Sequence, residues 1–185
     1  YPLNWLFFFI PLPSAFILTT LGHYYLAAAG MYLLARFSRL SVGAGIVSAL
    51  VYSLGGYMAS HLFMRPVLMS SAWLPWIFLC YLYGHYRNVL LGYLIAAVFL
   101  GFQILTGQPH SAVTAAFALG LFALYKATAD ILWSGQWRVG ISHLLRFALF
   151  LLIGIMLSAV SILPALELLP HTISGQAAFQ ASTTS

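Results

Sequence analysis

Apolar runs alternate with short polar breaks along the whole chain, covering 14–35, 42–62, 67–84, 88–105, 111–129 and 141–163. Each run is roughly 18 to 23 residues, the length a helix needs to cross about 30 Å of hydrocarbon. The pattern predicts an all-α transmembrane bundle of about six spans, occupying 14–163. A membrane barrel would need alternating segments of about 10 residues, and these runs are continuously apolar. In the leader, 1–13, Pro2, Pro11 and Pro13 bar a regular spanning helix. Its Tyr1, Trp5, Phe7, Phe8 and Phe9 suit an interfacial or re-entrant segment on the outer face. Pro66, Pro109 and Pro164 fall at span ends, whereas Pro75 lies inside the third run and predicts a kink or an interfacial start. Gly45, Ala49 and Ser53 recur every four residues and predict close helix packing. Residues 164–185 read as the start of an extracytoplasmic loop.

Composition narrows the class. Of 185 residues, 63% are hydrophobic and only 5% are charged. A soluble domain carries about 25% charged residues, so this chain cannot cover a water-facing surface. An ordinary soluble globule, a disordered tail and a nucleic-acid binder are excluded on that ground. The single cysteine, Cys80, leaves no disulfide framework and no cysteine-based metal site.

Charge sets the orientation. Arg36, Arg39, Arg87, Lys126, Arg138 and Arg146 fall at one end of the predicted spans, and Arg65 alone at the other. The positive-inside rule puts the first group, with Asp130 in a loop after span five, on the cytoplasmic side. Tyr1 then starts outside, which implies an earlier span. No cationic leader of signal-peptide type precedes the first apolar run.

The outer ends collect polar groups that are costly near lipid: Asn4, His61, Arg65, Gln103, Thr106, Gln108, His110, Glu167 and His171. Packed together they would form one outward-facing polar pocket. Arg65 runs against the charge bias and suits a phosphate. Glu167 is a candidate base, cation ligand or partner of Arg65. His61 and His110 are candidate phosphate or metal contacts, and His23, mid-span, an interhelical hydrogen bonder. His85 and His143 read as interface residues on the cytoplasmic side. His61, His110, Glu167 and His171 are metal-ligating types, but their spacing matches no zinc pattern, and no metal site is expected. Phosphate-loop, zinc-protease, nucleophile-elbow and CxxC patterns are absent from the sequence.

Several segments in series carry a resemblance: Tyr1-Pro2-Leu3-Asn4-Trp5; His23 with Gly30-Met31-Tyr32-Leu33-Leu34-Ala35-Arg36; Gly55-Gly56-Tyr57; Ala72-Trp73-Leu74-Pro75-Trp76; Leu105-Thr106-Gly107-Gln108-Pro109-His110; and Leu163-Pro164-Ala165-Leu166-Glu167-Leu168. In this order they resemble the YfhO-like family of bacterial multi-pass membrane proteins, relatives of GT-C-fold glycosyltransferases. The family segment around Pro109 more often reads Gly-His-Pro-Gln, so Gln108 and His110 look exchanged. The basic residue that often follows the family's Glu is missing at Ile173-Ser174-Gly175.

The resemblance implies a GT-C-like bundle in the bacterial cytoplasmic (inner) membrane. It implies transfer of a sugar from a polyprenyl-phosphate carrier to an extracytoplasmic cell-wall polymer or lipid acceptor. Arg65, His110, Gln108 and His61 would bind the donor, and Glu167 a divalent cation or the acceptor. The family's catalytic Asp precedes the segment matching Tyr1-Pro2, so this chain reads as a fragment that is inactive alone. A lipid or small-molecule transporter or flippase is the competing class, but it would place polar groups near the midplane in paired halves. A non-catalytic membrane scaffold is the other, and needs no polar pocket.

Overall fold

A computed structural model describes residues 1–168 of the chain. Among them the structure is all-helical, with no strand. A 3-10 turn over Pro2–Trp5 leads into α1 (Leu6–Phe9), and then come α2 (Leu12–Phe37), α3 (Val42–Leu54), α4 (Gly56–Ser60), α5 (Arg65–Arg87), α6 (Leu90–Leu105), α7 (Pro109–Ser134) and α8 (Trp137–Leu168).

Local sequence explains the boundaries. Prolines stand in the first turns of α2, α5 and α7, where a missing N–H costs nothing. Ser41 caps α3 by accepting from the Ala44 N–H at 3.2 Å. Gly55, in an extended conformation, separates α3 from α4, and a Cβ there would run into the Val51 carbonyl oxygen. Asn88 ends α5 and Gly135 ends α7, both in the left-handed region that these residues tolerate best.

The helices pack in the order α3, α2, α5, α6, α8, α7, with α7 also touching α5 and α6. α5 and α6 are the most buried. Tyr81 and Phe150 join Tyr93, Phe122 and Phe147 in an aromatic cluster between α5, α6, α7 and α8. The perimeter is apolar. Val47, Leu50 and Val51 on α3, Val113 and Phe117 on α7, and Met156 and Val160 on α8 are all exposed. Such a surface is stable against lipid and not against water. The small stripe Gly45, Ala49 and Ser53 is buried, with Gly45 close under Tyr32 of α2.

Among the described residues four helical segments are long and apolar enough to cross a membrane: 42–60, α5, α7 and α8. Of the six runs expected to span, the other two each fall short in one respect. α6 is apolar but has 16 residues, and α2 is long but interrupted by Thr19, Thr20, His23, Tyr24 and Tyr25. Thr19 and His23 turn inward and are buried.

Three local expectations are corrected. Lys126 and Asp130 do not border or occupy a loop, because α7 runs to Ser134 and α8 begins at Trp137. The two residues between them suffice, since Gly135 takes the left-handed turn. α8 also continues through Pro164 to Leu168, so the loop expected from 164 does not start there; its remainder and His171 lie outside the described residues. Nor does Pro75 mark an interfacial start, because it lies inside α5. It deprives the Ser71 carbonyl of its usual partner four residues on, and the Tyr52 hydroxyl of α3 donates to that oxygen instead at 2.7 Å. Tyr52→Phe leaves the carbonyl unbonded and should cost about 1 kcal/mol, read as a lower melting temperature in detergent.

Candidate functional site

The leader folds against the starts of α2 and α5 and the end of α6. Its anchor is a relay of hydrogen bonds. His23 Nδ1 lies 2.6 Å from the Thr19 carbonyl oxygen, which can only accept, so Nδ1 carries the proton. Nε2 is then an acceptor, and the Tyr1 hydroxyl donates to it at 2.8 Å. The Tyr1 oxygen in turn accepts from Trp73 Nε1 at 2.7 Å. Burial pushes the Tyr1 phenol above its ordinary value, with the Trp73 bond pulling the other way, so it stays a donor. The relay gives His23 its partner in the leader, not on a second spanning helix as expected.

Arg65 stands at the head of α5. Its guanidinium lies over the Phe16 ring at 3.9 Å and near Phe7 at 5.0 Å. The two rings meet edge to face at 5.7 Å. Nε and Nη2 are buried and have no hydrogen-bond partner. Rings attract a cation but do not satisfy its N–H groups. Arg65 lines a cavity of about 470 Å³ with Asn4, Phe7, Phe8, Pro66, Met69 and Thr106. It also lines a second cavity of about 340 Å³ between α2 and Phe63. Next to Met69, Ser70 Oγ is buried without a partner. Gln103 is fully buried, and its Nε2 donates to the Ser70 carbonyl at 3.1 Å while Oε1 is unbonded.

A larger groove of about 790 Å³ opens between α3, α4, α5 and the start of α7. Its walls are mostly apolar, with Tyr52, Tyr57, Ser71, His110, Ser111 and Thr114 contributing polar atoms.

The five candidate residues therefore share one end of the bundle but not one cavity. Arg65 lines the leader cavity and His110 the groove. Gln108 sits at the N-cap of α7 and makes no capping bond. His61 is folded onto its own turn, bonded through Nδ1 to the Tyr57 carbonyl at 2.8 Å, with its ring tilted against that of Tyr57 at 4.6 Å. Glu167 is exposed on the last turn of α8 and forms no ion pair among the described residues. The relay of Trp73 to Tyr1 to His23 is not evident from sequence because Tyr1 and Trp73 each read alone as an interfacial aromatic; their shared feature is a polar tip that needs a partner once buried.

No protein-family profile, curated protein or solved structure matches the chain.

Proposed function

We propose that the chain belongs to an integral membrane glycosyltransferase-like protein that takes a sugar from a polyprenyl-phosphate carrier and passes it to a cell-envelope acceptor. The observation that carries this reading is Arg65, a guanidinium with two buried, unbonded nitrogens on the wall of a cavity. A buried cation without a partner is costly, and a phosphate supplies both charge and acceptors. The larger groove has mostly apolar walls, and its volume of about 790 Å³ suits part of an isoprenoid chain. α2 and α6 pack between helices that are themselves long and apolar, so we read all six rods as crossing the membrane. We take that membrane to be the bacterial inner membrane, as the family resemblance implies, and assign the Arg65 end to its outer side, because six of the seven Lys and Arg lie at the other end.

In the reaction the bond between the sugar's anomeric carbon and the carrier phosphate breaks, and the acceptor oxygen bonds to that carbon. The electron pair of the broken bond leaves on the phosphate, where Arg65 stabilises the growing charge. The acceptor's proton goes to a base. Neither acid of the described chain lines the Arg65 cavity, so this cavity serves the leaving group.

Reconstituted full-length protein should bind a polyprenyl phosphate at least tenfold more tightly than the same prenyl alcohol. Arg65→Ala should remove most of that difference, about 1.5–3 kcal/mol, while membrane insertion stays normal. Equal binding of phosphate and alcohol, or undiminished sugar transfer by Arg65→Ala, would overturn the assignment.

A further inference from the structure

At the opposite end of the bundle, α5, α7 and α8 line an open cavity of about 410 Å³ with His85, Asn88, Lys126, Asp130, Ser142, His143, Arg146 and Val139. It is not a tip feature. Lys126 lies about 12 Å from the end of α7 and Arg146 about 14 Å into α8, at 1.5 Å per residue. Both are level with the last turn of α5, where His85 and Asn88 stand.

The charges in this cavity are unevenly matched. Asp130 is its one carboxylate, and it is engaged by His143, with Nε2 and Oδ2 2.9 Å apart. The His85 ring lies 4.9 Å from that of His143 and 5.0 Å from Phe122. His143 Nδ1 is buried without a hydrogen-bond partner. Lys126 and Arg146 make no ion pair among the described residues, and Arg146 has only the Tyr93 ring at 5.8 Å. These histidines and Asp130 do not form a metal-binding group of three. Two half-exposed cations at this end of an apolar bundle, beside neutral donors on Asn88 and Ser142, outnumber the single carboxylate of Asp130, leaving an excess of positive charge.

We propose that this cavity binds an ionised phosphate group, held by Lys126 and Arg146 and fixed in place by Asn88 and Ser142. Arg offers a fork that matches two phosphoryl oxygens, and Lys adds a point charge. Basic pockets between helices on the cytoplasmic side hold phospholipid headgroups in this way, and a free phosphate presents the same chemistry. The site stands independently of the reading at Arg65, which lies at the other end.

The test uses the whole chain in neutral detergent, with its melting temperature followed against added phosphatidylglycerol, phosphatidylcholine or inorganic phosphate. Phosphatidylcholine is the comparison lipid, because it carries the same phosphodiester with the charge cancelled by a quaternary ammonium that Lys126 and Arg146 repel. Stabilisation by phosphatidylglycerol but not by inorganic phosphate supports a headgroup site; stabilisation by inorganic phosphate supports a site for the free ion. In either case Lys126→Gln and Arg146→Gln should weaken the effect about tenfold. Arg138→Gln, which removes an exposed cation outside the cavity, should retain it. Should Arg146→Gln fail to fold, Lys126→Gln at its half-exposed position decides. Three results would overturn the site: no response to any phosphate probe beyond that to phosphatidylcholine, a full response in the Lys126→Gln protein, or an equal loss in Arg138→Gln.

Discussion

Alanine at position 92 should force α5 and α6 apart and lower the melting temperature of the detergent-solubilised chain more than a methyl added at any open glycine. A Cβ on Gly92 would lie 2.5 Å from the Cα of Gly84, 2.6 Å from its nitrogen and 2.8 Å from the Cys80 carbonyl oxygen. All three are backbone atoms of α5. No rotamer change relieves the clash, so the helices themselves must move. Overpacking a core costs typically about 1–3 kcal/mol, and a backbone-to-backbone collision belongs at or above the upper end of that range. Gly22 is the control, because a Cβ there meets nothing within 4 Å. Gly22→Ala should be neutral or slightly stabilising, since alanine is the better helix former by about 1 kcal/mol. If Gly92→Ala melted with Gly22→Ala, the close crossing of α5 and α6 would be wrong.

Trp73→Ala should be comparably damaging for a different reason. The indole stacks on Phe99 at 5.2 Å, meets Phe102 at 5.3 Å, and holds the Tyr1 hydroxyl through Nε1. Removing this buried indole opens a cavity beside partly buried rings at a cost of about 3–5 kcal/mol. It also releases the leader, so cleavage within residues 1–10 should accelerate in limited proteolysis. Trp73→Phe separates the two roles. It keeps most of the ring contact and loses the N–H, for about 1 kcal/mol, yet should still expose the leader to protease. A leader equally resistant in wild type and Trp73→Phe would show that the relay does not anchor it.

The helical rods were legible because their apolar runs are long and unbroken, and because prolines and glycines mark most of their ends. The reach of α7 and α8 was not legible. Lys126 and Asp130 look like loop residues until His143 is placed opposite, and that pairing depends on how two helices cross. Arg65 stood out from sequence by its position against the charge bias. Its seat between Phe7 and Phe16 did not, since those aromatics read equally well as lipid-facing. The spread of Arg65 and His110 into separate cavities was also hidden, because a residue's end of the bundle follows from its place along a span, but its neighbour around the bundle does not. His85 and His143, 58 positions apart in sequence, meet only because the end of α5 lies against the start of α8.

Tyr52 has a consequence for the groove beside His110. α3 packs chiefly on α2, whereas the facing wall belongs to α5 and α7. The hydrogen bond from Tyr52 to Ser71 reaches across between those walls. One phenol length therefore acts as a spacer for the slot, and side-chain size at position 52 is a gauge for the thickness of chain that can lie in it.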